Sequence, residues 1–443
     1  MATVEGTMGA AGKPDATTAG LTNSGRLRAI IAGSAGNLIE WYDFYVYAFT
    51  ALYFSSEFFP KSDPIVQIMA TSGIFAVGFL MRPIGGWYFG RFADRRGRQA
   101  AMVFSVLLMG AGSLLIAVLP TYAQVGVLAP AALLIGRMIQ GFSTGGQYGT
   151  AATYLSEIAG KGRRGFWASF QYVTLIGGQL LATLVVLVLQ QVLPEEAMKS
   201  YGWRIAFILG AVGAGTILLF RHHMHETLSG KDRHEHAGSL KELLTKNGRA
   251  FLTVMALSAA GGLAFYTFTT YMQKYLVLTA GMTKEAATLV MTGALVVFMI
   301  QQPLMGLLSD KIGRKNNIIV WGALGALTTA PILMALANVQ SAWMAFLLVV
   351  AGLTFNSFYT AISGVYKAEL FPVHVRTLGV GLAYGVGNAL FGGTAENVAL
   401  AFKSAGNESF FYWYVTAFLA MALAVAFTLP DSRKDNVLDQ IKV

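Results

Sequence analysis

Apolar residues run through this chain in stretches of about 20, long enough for a helix to cross the hydrocarbon core of a bilayer. Polar residues gather in short runs between them. Twelve stretches stand out, centred near Trp41, Phe79, Leu108, Met138, Leu180, Ile208, Phe265, Val297, Leu327, Val350, Leu390 and Phe418. The pattern predicts an all-α integral membrane protein of twelve transmembrane helices in two pseudo-symmetric six-helix bundles. Its divisions are a disordered cytoplasmic tail (1–25), an N-terminal bundle (26–221), a cytoplasmic linker (222–248), a C-terminal bundle (249–430) and a second cytoplasmic tail (431–443). Residues 1–25 are rich in Gly, Ala, Thr and Ser and lack the apolar core of a cleaved signal. The first span is therefore the expected targeting signal.

Two polar turns repeat. GRFADRRGRQ (90–99) and GLLSDKIGRK (306–315) share G-x-x-x-D-x-x-G-R and lie 216 residues apart. YLSEIAGKGRRG (154–165) and YKAELFPVHVRTLG (366–379) each place a Glu and an Arg seven residues apart, Glu157 with Arg164 and Glu369 with Arg376. Repeats of about 200 residues, six helices each, are the architecture of transporters whose halves rock about a midplane site. An acid facing a helix N-terminus and a nearby Arg gains about 1 kcal/mol, and sliding helices break that pairing. Asp94, Arg98, Asp310 and Arg314, with the two Glu–Arg pairs, are the expected cytoplasmic gate, with topology and helix capping alone as the alternative. Gly86 and Gly90, four apart, suit close helix contact.

Composition agrees: 55% of residues are hydrophobic, 12% are charged, and the mean hydropathy is +0.56. A net charge of +10 would suit a nucleic-acid binder, yet 24 of the 32 Lys and Arg fall in the N-terminal tail, the even-numbered loops and the C-terminal tail. Four more fall in odd-numbered loops and four inside spans. By the positive-inside rule both termini are cytoplasmic, and no nucleic-acid partner is implied. The absence of cysteine excludes disulfides and Cys-ligated metals. Five of six histidines (His222, His223, His225, His234, His236) sit in the linker without clustered carboxylates, so no metal is expected. SLKELLTK (239–246) predicts an amphipathic surface helix. No catalytic triad, metal-ligand cluster or nucleotide loop appears on the spans, which argues against an enzyme and calls for no cofactor.

Ionisable residues at membrane depth cost about 2.5–3.5 kcal/mol and mark pathways. In the first span, NLIEWYDFYVY places Asn37, Glu40, Asp43 and Tyr47 on one helical stripe. In the fourth, GRMIQGFSTGGQYG places Arg137, Gln140, Thr144 and Gln147 at helical spacing. The second span adds Arg82, and the seventh adds Lys274 at the end of a stripe with Tyr266 and Thr270. Three buried cations thus face two buried acids. Arg82, just before Pro83, fits either substrate binding or a bridge to Asp43. Lys274 fits either a cavity wall or a snorkelling anchor, and Arg204 an interfacial anchor beside Trp203. Gln171, Tyr172, Gln179, Tyr266 and Tyr45 are candidate lining groups, with helix-packing glue as the alternative.

The twin turns and the span count resemble the major facilitator superfamily. In that family the aspartate, here Asp94 and Asp310, latches the cytoplasmic side of the outward-open state, and neighbouring Glu and Arg complete the network. R-x-x-Q-G at Arg137, Gln140 and Gly141 resembles the fourth-span motif of proton-coupled members, where the arginine tunes a nearby carboxylate. AGNLIEWYDFYVY, FLMRPIGGWYFGRFADRRGR, SFQYVTLIGGQLLA and FYTFTTYMQKYLVLTAGM are similar to the metabolite:proton symporter branch, specifically its bacterial α-ketoglutarate permeases, and the similarity covers nearly the whole chain after the tail.

This resemblance implies a proton-coupled symporter importing a small dicarboxylate, α-ketoglutarate foremost. It also implies a monomer spanning the bacterial inner membrane, with an organic acid and protons as its partners. Arg82 and Lys274 would attract carboxylates. Alternatives are a proton-driven exporter of cationic or drug-like solutes, which buried Arg and Lys disfavour, and uptake of a different organic acid or zwitterion. One departure matters: the branch carries Gly-Gly-Glu-Tyr or Gly-Gly-Glu-Trp where this chain has Gly145, Gly146, Gln147 and Tyr148. Gln mimics a protonated Glu but cannot titrate. The chain is then uncoupled, an engineered mimic of the protonated state, or coupled through Glu40 or Asp43, and the mimic is the favoured expectation. Coupling is assigned to Glu40, Asp43, Arg137 and Gln147, hence to the N-terminal bundle.

Overall fold

A computed structural model describes residues 23–60, 64–159, 162–220 and 237–430. All twelve predicted centres fall within helical rods, and no strand occurs among the described residues. The first six rods are Asn23–Phe58, Pro64–Arg96, Arg98–Ala117, Leu128–Ile158, Phe170–Val192 (preceded by the turn Arg164–Ala168) and Trp203–Phe220. The first begins at Asn23, inside the stretch 1–25 read as an unstructured tail; the rest of that stretch, the tail 431–443 and the five linker histidines lie outside the described residues. The seventh rod is Gly248–Phe268 continued by Thr270–Leu278, the eighth Lys284–Ile312 and the ninth Arg314–Ala337. The tenth joins Ala342–Thr360 to Ser363–Glu369, the eleventh joins Arg376–Gly387, Asn388–Gly392 and Ala395–Ser404, and the twelfth is Ser409–Phe427.

Eight of the described helices are long and apolar enough to cross a membrane. The first, fourth, sixth and eleventh rods are not among them; the first and fourth carry the polar stripes and the eleventh is broken in three. Apolar pattern alone gave no sign of the breaks in the seventh, tenth and eleventh. They fall at Thr269, at Ala361 and Ile362, and at a π turn over Asn388–Gly392. Non-helical backbone at membrane depth is tolerated only where protein or a cavity surrounds it.

The bundles meet where the second rod packs on the eleventh, the fifth on the eighth, and the fourth on the tenth and eleventh. Glycines permit the approach. A Cβ added to Gly86 would stand 2.8 Å from the Gly381 carbonyl oxygen, and one on Gly90 2.8 Å from the Leu378 Cα. The linker helix Leu240–Lys246, capped by Ser239, lies at the end where both D-x-x-G-R turns sit. Its leading strand of chain is tied to both bundles: Arg95 Nε donates to the Ala237 carbonyl at 3.1 Å, and the Gly238 amide donates to the His374 carbonyl at 2.8 Å.

Candidate functional site

At the motif end each aspartate of one bundle caps a helix of the other. Asp94 accepts the Leu378 amide at 3.0 Å in the first turn of the eleventh rod, and Asp310 accepts the Gly165 and Phe166 amides at 2.8 and 3.0 Å ahead of the fifth. Arg98 and Arg314 lie one helical turn on, 3.4 and 2.9 Å from their aspartates. The intervening glycines make that return possible: Gly97 and Gly313 have φ of 117° and 91°, a region L side chains avoid. Glu157 joins the halves, 3.2 Å from Arg98 and 3.1 Å from Arg376. Glu369 instead meets Arg314 at 3.7 Å, within its own bundle. Arg164 starts the capped turn.

At the opposite end the expectation for Lys274 needs correction. It is neither a cavity cation awaiting a solute nor a snorkelling anchor: it is buried and pairs with Glu396 of the eleventh rod at 2.6 Å. Glu396 also receives the hydroxyl of Ser72 from the second rod, and Asn397 donates to the Ser72 carbonyl at 3.0 Å. The cluster binds the N-terminal bundle to the C-terminal one. With both ends closed, the residues between them are sealed from solvent.

In the centre Arg82 is fully buried and donates to the Tyr266 hydroxyl at 3.1 Å, its guanidinium 3.8 Å from the Phe79 ring centre and 4.5 Å from that of Phe44. The proposed bridge to Asp43 does not form, since Asp43 takes its hydrogen bond from Ser113. Tyr45 stacks on Trp41, and Tyr172 meets Phe265 edge-on. Gln171 donates to the Tyr148 carbonyl at 3.3 Å. Gln179 is buried with neither amide atom hydrogen-bonded to protein. Lys367 of the tenth rod, counted from sequence among the loop cations, is buried too. It donates to the Tyr148 hydroxyl at 2.7 Å and to Ser363 at 2.8 Å.

The four residues assigned to proton coupling fall on two short relays. Arg137 Nη1 donates to Gln140 at 2.6 Å, Gln140 to Ser113 at 2.8 Å, and Ser113 to Asp43 at 2.7 Å. Arg137 thus reaches a carboxylate only through two intermediaries, which corrects the picture of a direct neighbour. In the second relay Ser105 donates to Gln147 Oε1 at 2.6 Å, while Ser143 lies 2.5 Å from the Ser105 carbonyl and 3.1 Å from Glu40. Gly210 of the sixth rod leaves room for Asp43, because any Cβ there would collide with the carboxylate.

The family model for the Major Facilitator Superfamily matches residues 34–395 and 281–439. The chain belongs to the major facilitator superfamily. It is a multi-pass membrane transporter and not an enzyme. The α-ketoglutarate permease of Escherichia coli (strain K12) is 56% identical over 405 residues, covering 91% of this chain and 94% of that protein. The citrate-proton symporter of Salmonella typhi is 32% identical over 414 residues, covering 92% and 94%. A solved proton:xylose symporter, 17% identical, superposes with a TM-score of 0.78 over 94% of this chain and 98% of that one, which shows the fold.

Two residues of this transporter escaped sequence reasoning for different reasons. Lys367 lies two residues before Glu369 of the repeated polar motif, so it reads as part of the same turn. Side chains on a helix lean toward its N-terminus, which carries the ammonium back to Ser363, one turn deeper. Glu396 was legible: it is an acid six residues past the predicted centre at Leu390, and its partner Lys274 is an intramembrane cation in the same half.

Proposed function

We propose that this transporter is a proton-coupled symporter that imports a small dicarboxylate of the α-ketoglutarate class by alternating access. It works in the bacterial inner membrane as a monomer, with the motif end and both termini cytoplasmic. The observation that carries the reading is an excess of cations in the sealed interior, where Arg82, Arg137 and Lys367 outnumber Glu40 and Asp43. Arg82, Arg137 and Lys367 are fully buried, and among the described residues none lies within ion-pair distance of a carboxylate. A buried charge without a partner is costly by several kcal/mol, and an anionic solute supplies the partner. A cationic solute would worsen the imbalance. The similarity to an α-ketoglutarate permease and a citrate-proton symporter supports the same choice.

Protons enter through the first-span acids. Ser143 has one proton, and its shorter contact is to the Ser105 carbonyl. When that bond is made, the Glu40 contact needs a proton on the carboxyl itself. Asp43 Oδ2 has no hydrogen-bond partner in the protein, so Asp43 can hold a proton there without displacing its bond from Ser113. Opening either end breaks one inter-bundle cluster while the other holds, so the bundles rock about Arg82 and Lys367. Proteoliposomes with an inwardly directed proton gradient should accumulate labelled α-ketoglutarate, and unlabelled dicarboxylates should compete. Failure of every dicarboxylate to compete, with uptake of a cationic or neutral solute instead, would overturn the assignment.

A further inference from the structure

Lys367 has a setting that a purely structural role does not explain. Its ammonium has three N–H donors, and Tyr148 and Ser363 accept two of them. Rings of Tyr384 and Tyr148 lie 4.5 and 4.7 Å from Nζ, with Tyr359 and Tyr366 at 5.7 Å. Cation–π contact stabilises the charge less than its burial destabilises it. A methionine would fill this space without that penalty.

The arrangement is reciprocal with Arg82. Arg82, from the N-terminal bundle, bonds Tyr266 of the C-terminal one; Lys367, from the C-terminal bundle, bonds Tyr148 of the N-terminal one. Tyr148 and Tyr384 stack face to face across the interface. Their neighbours Gly145 and Gly385 both pack against the backbone of Arg82, so the stack joins the two cations. Gln179, buried on the fifth rod, is a further polar group, with no hydrogen-bond partner in the protein for either amide atom.

We propose that Lys367 seats the second carboxylate of the substrate, with Arg82 seating the first. The proposal rests on the dicarboxylate reading above and says how it is achieved. A diacid engages one cation on each bundle and so clamps the halves together. A monoacid leaves one cation buried and unpaired, and sites built to pair a group discriminate strongly against ligands that lack it.

The test compares α-ketoglutarate with 2-oxopentanoate, which has the same chain length but one carboxylate. Affinity is read from ligand-induced shifts in thermal unfolding of the purified full chain and from counterflow in proteoliposomes. Lys367→Gln should weaken α-ketoglutarate by about tenfold or more, equivalent to ~1.4 kcal/mol, and move 2-oxopentanoate by less than about twofold. Lys367→Arg keeps the charge and should keep the preference for the diacid, and it decides the matter if the Gln variant does not fold. Equal weakening of both ligands by Lys367→Gln, no effect on either, or loss of the preference in Lys367→Arg overturns the second seat. Absence of any diacid preference in the unaltered chain overturns the dicarboxylate reading itself, so the two failures are distinct.

Discussion

Gln147 meets the Ser105 hydroxyl at 2.6 Å, and that hydroxyl also reaches the Met102 carbonyl at 2.9 Å. The single hydroxyl proton serves one of these contacts at a time, and a carboxylate at position 147 can accept it as the amide oxygen does. Gln147→Glu should fold, keep the Ser105 contact and strengthen proton-driven accumulation of substrate. Indistinguishable uptake by both forms across a range of imposed pH gradients would remove position 147 from the coupling route. Coupling would then fall to Glu40 and Asp43, whose contacts are hydroxyls and not cations.

Among elements, the broken seventh and eleventh rods carry the Lys274–Glu396 pair. Lys274 stands just after the break in the seventh rod and Glu396 just after the π turn of the eleventh. Breaks let a rod end bend without sliding the whole helix, so these ends are the moving parts of the opposite gate. Removing one partner of a buried ion pair destabilises by about 3–5 kcal/mol. Glu396→Gln should accordingly favour the state open at that end while Arg82, farther along the interface, still binds substrate. The chain has no cysteine, so a single cysteine at Ile68, one turn from Ser72, can report on opening. Its labelling rate should rise in Glu396→Gln, and an unchanged rate would show that the pair does not gate.

Across the whole molecule the motif end is held by two nearly equivalent reciprocal caps, plus Glu157 shared by an arginine from each bundle. Asp310→Asn removes the charge that faces the helix N-terminus and Arg314. It should shift the population toward the state open at the motif end. Spin labels at Arg163 and Lys311, on either side of this cap, should then show a longer distance component. If the distribution matched that of the unaltered chain, the cap would serve topology and not state selection. Asp94 has the additional Arg98–Glu157 network beside it, so Asp94→Asn is expected to act in the same direction and to move Glu157 as well.

Hydrophobic period and charge distribution suffice for the twelve rods and the duplicated halves, because bilayer thickness sets helix length and a repeated turn needs the same Asp, Gly and Arg wherever it occurs. The stripes on the first and fourth rods were equally legible, since residues spaced along one helix share a face without help from any neighbour. Partnership between rods was not. Whether Arg82 meets Asp43 or Tyr266, whether Lys274 stays single or finds Glu396, and how far Lys367 reaches into the interior all depend on residues brought together from distant positions in the chain. Only the packing of one bundle on the other decides which buried charges are neutralised and which remain for the solute, because a charge's partner is fixed by distance in space and not by position in sequence.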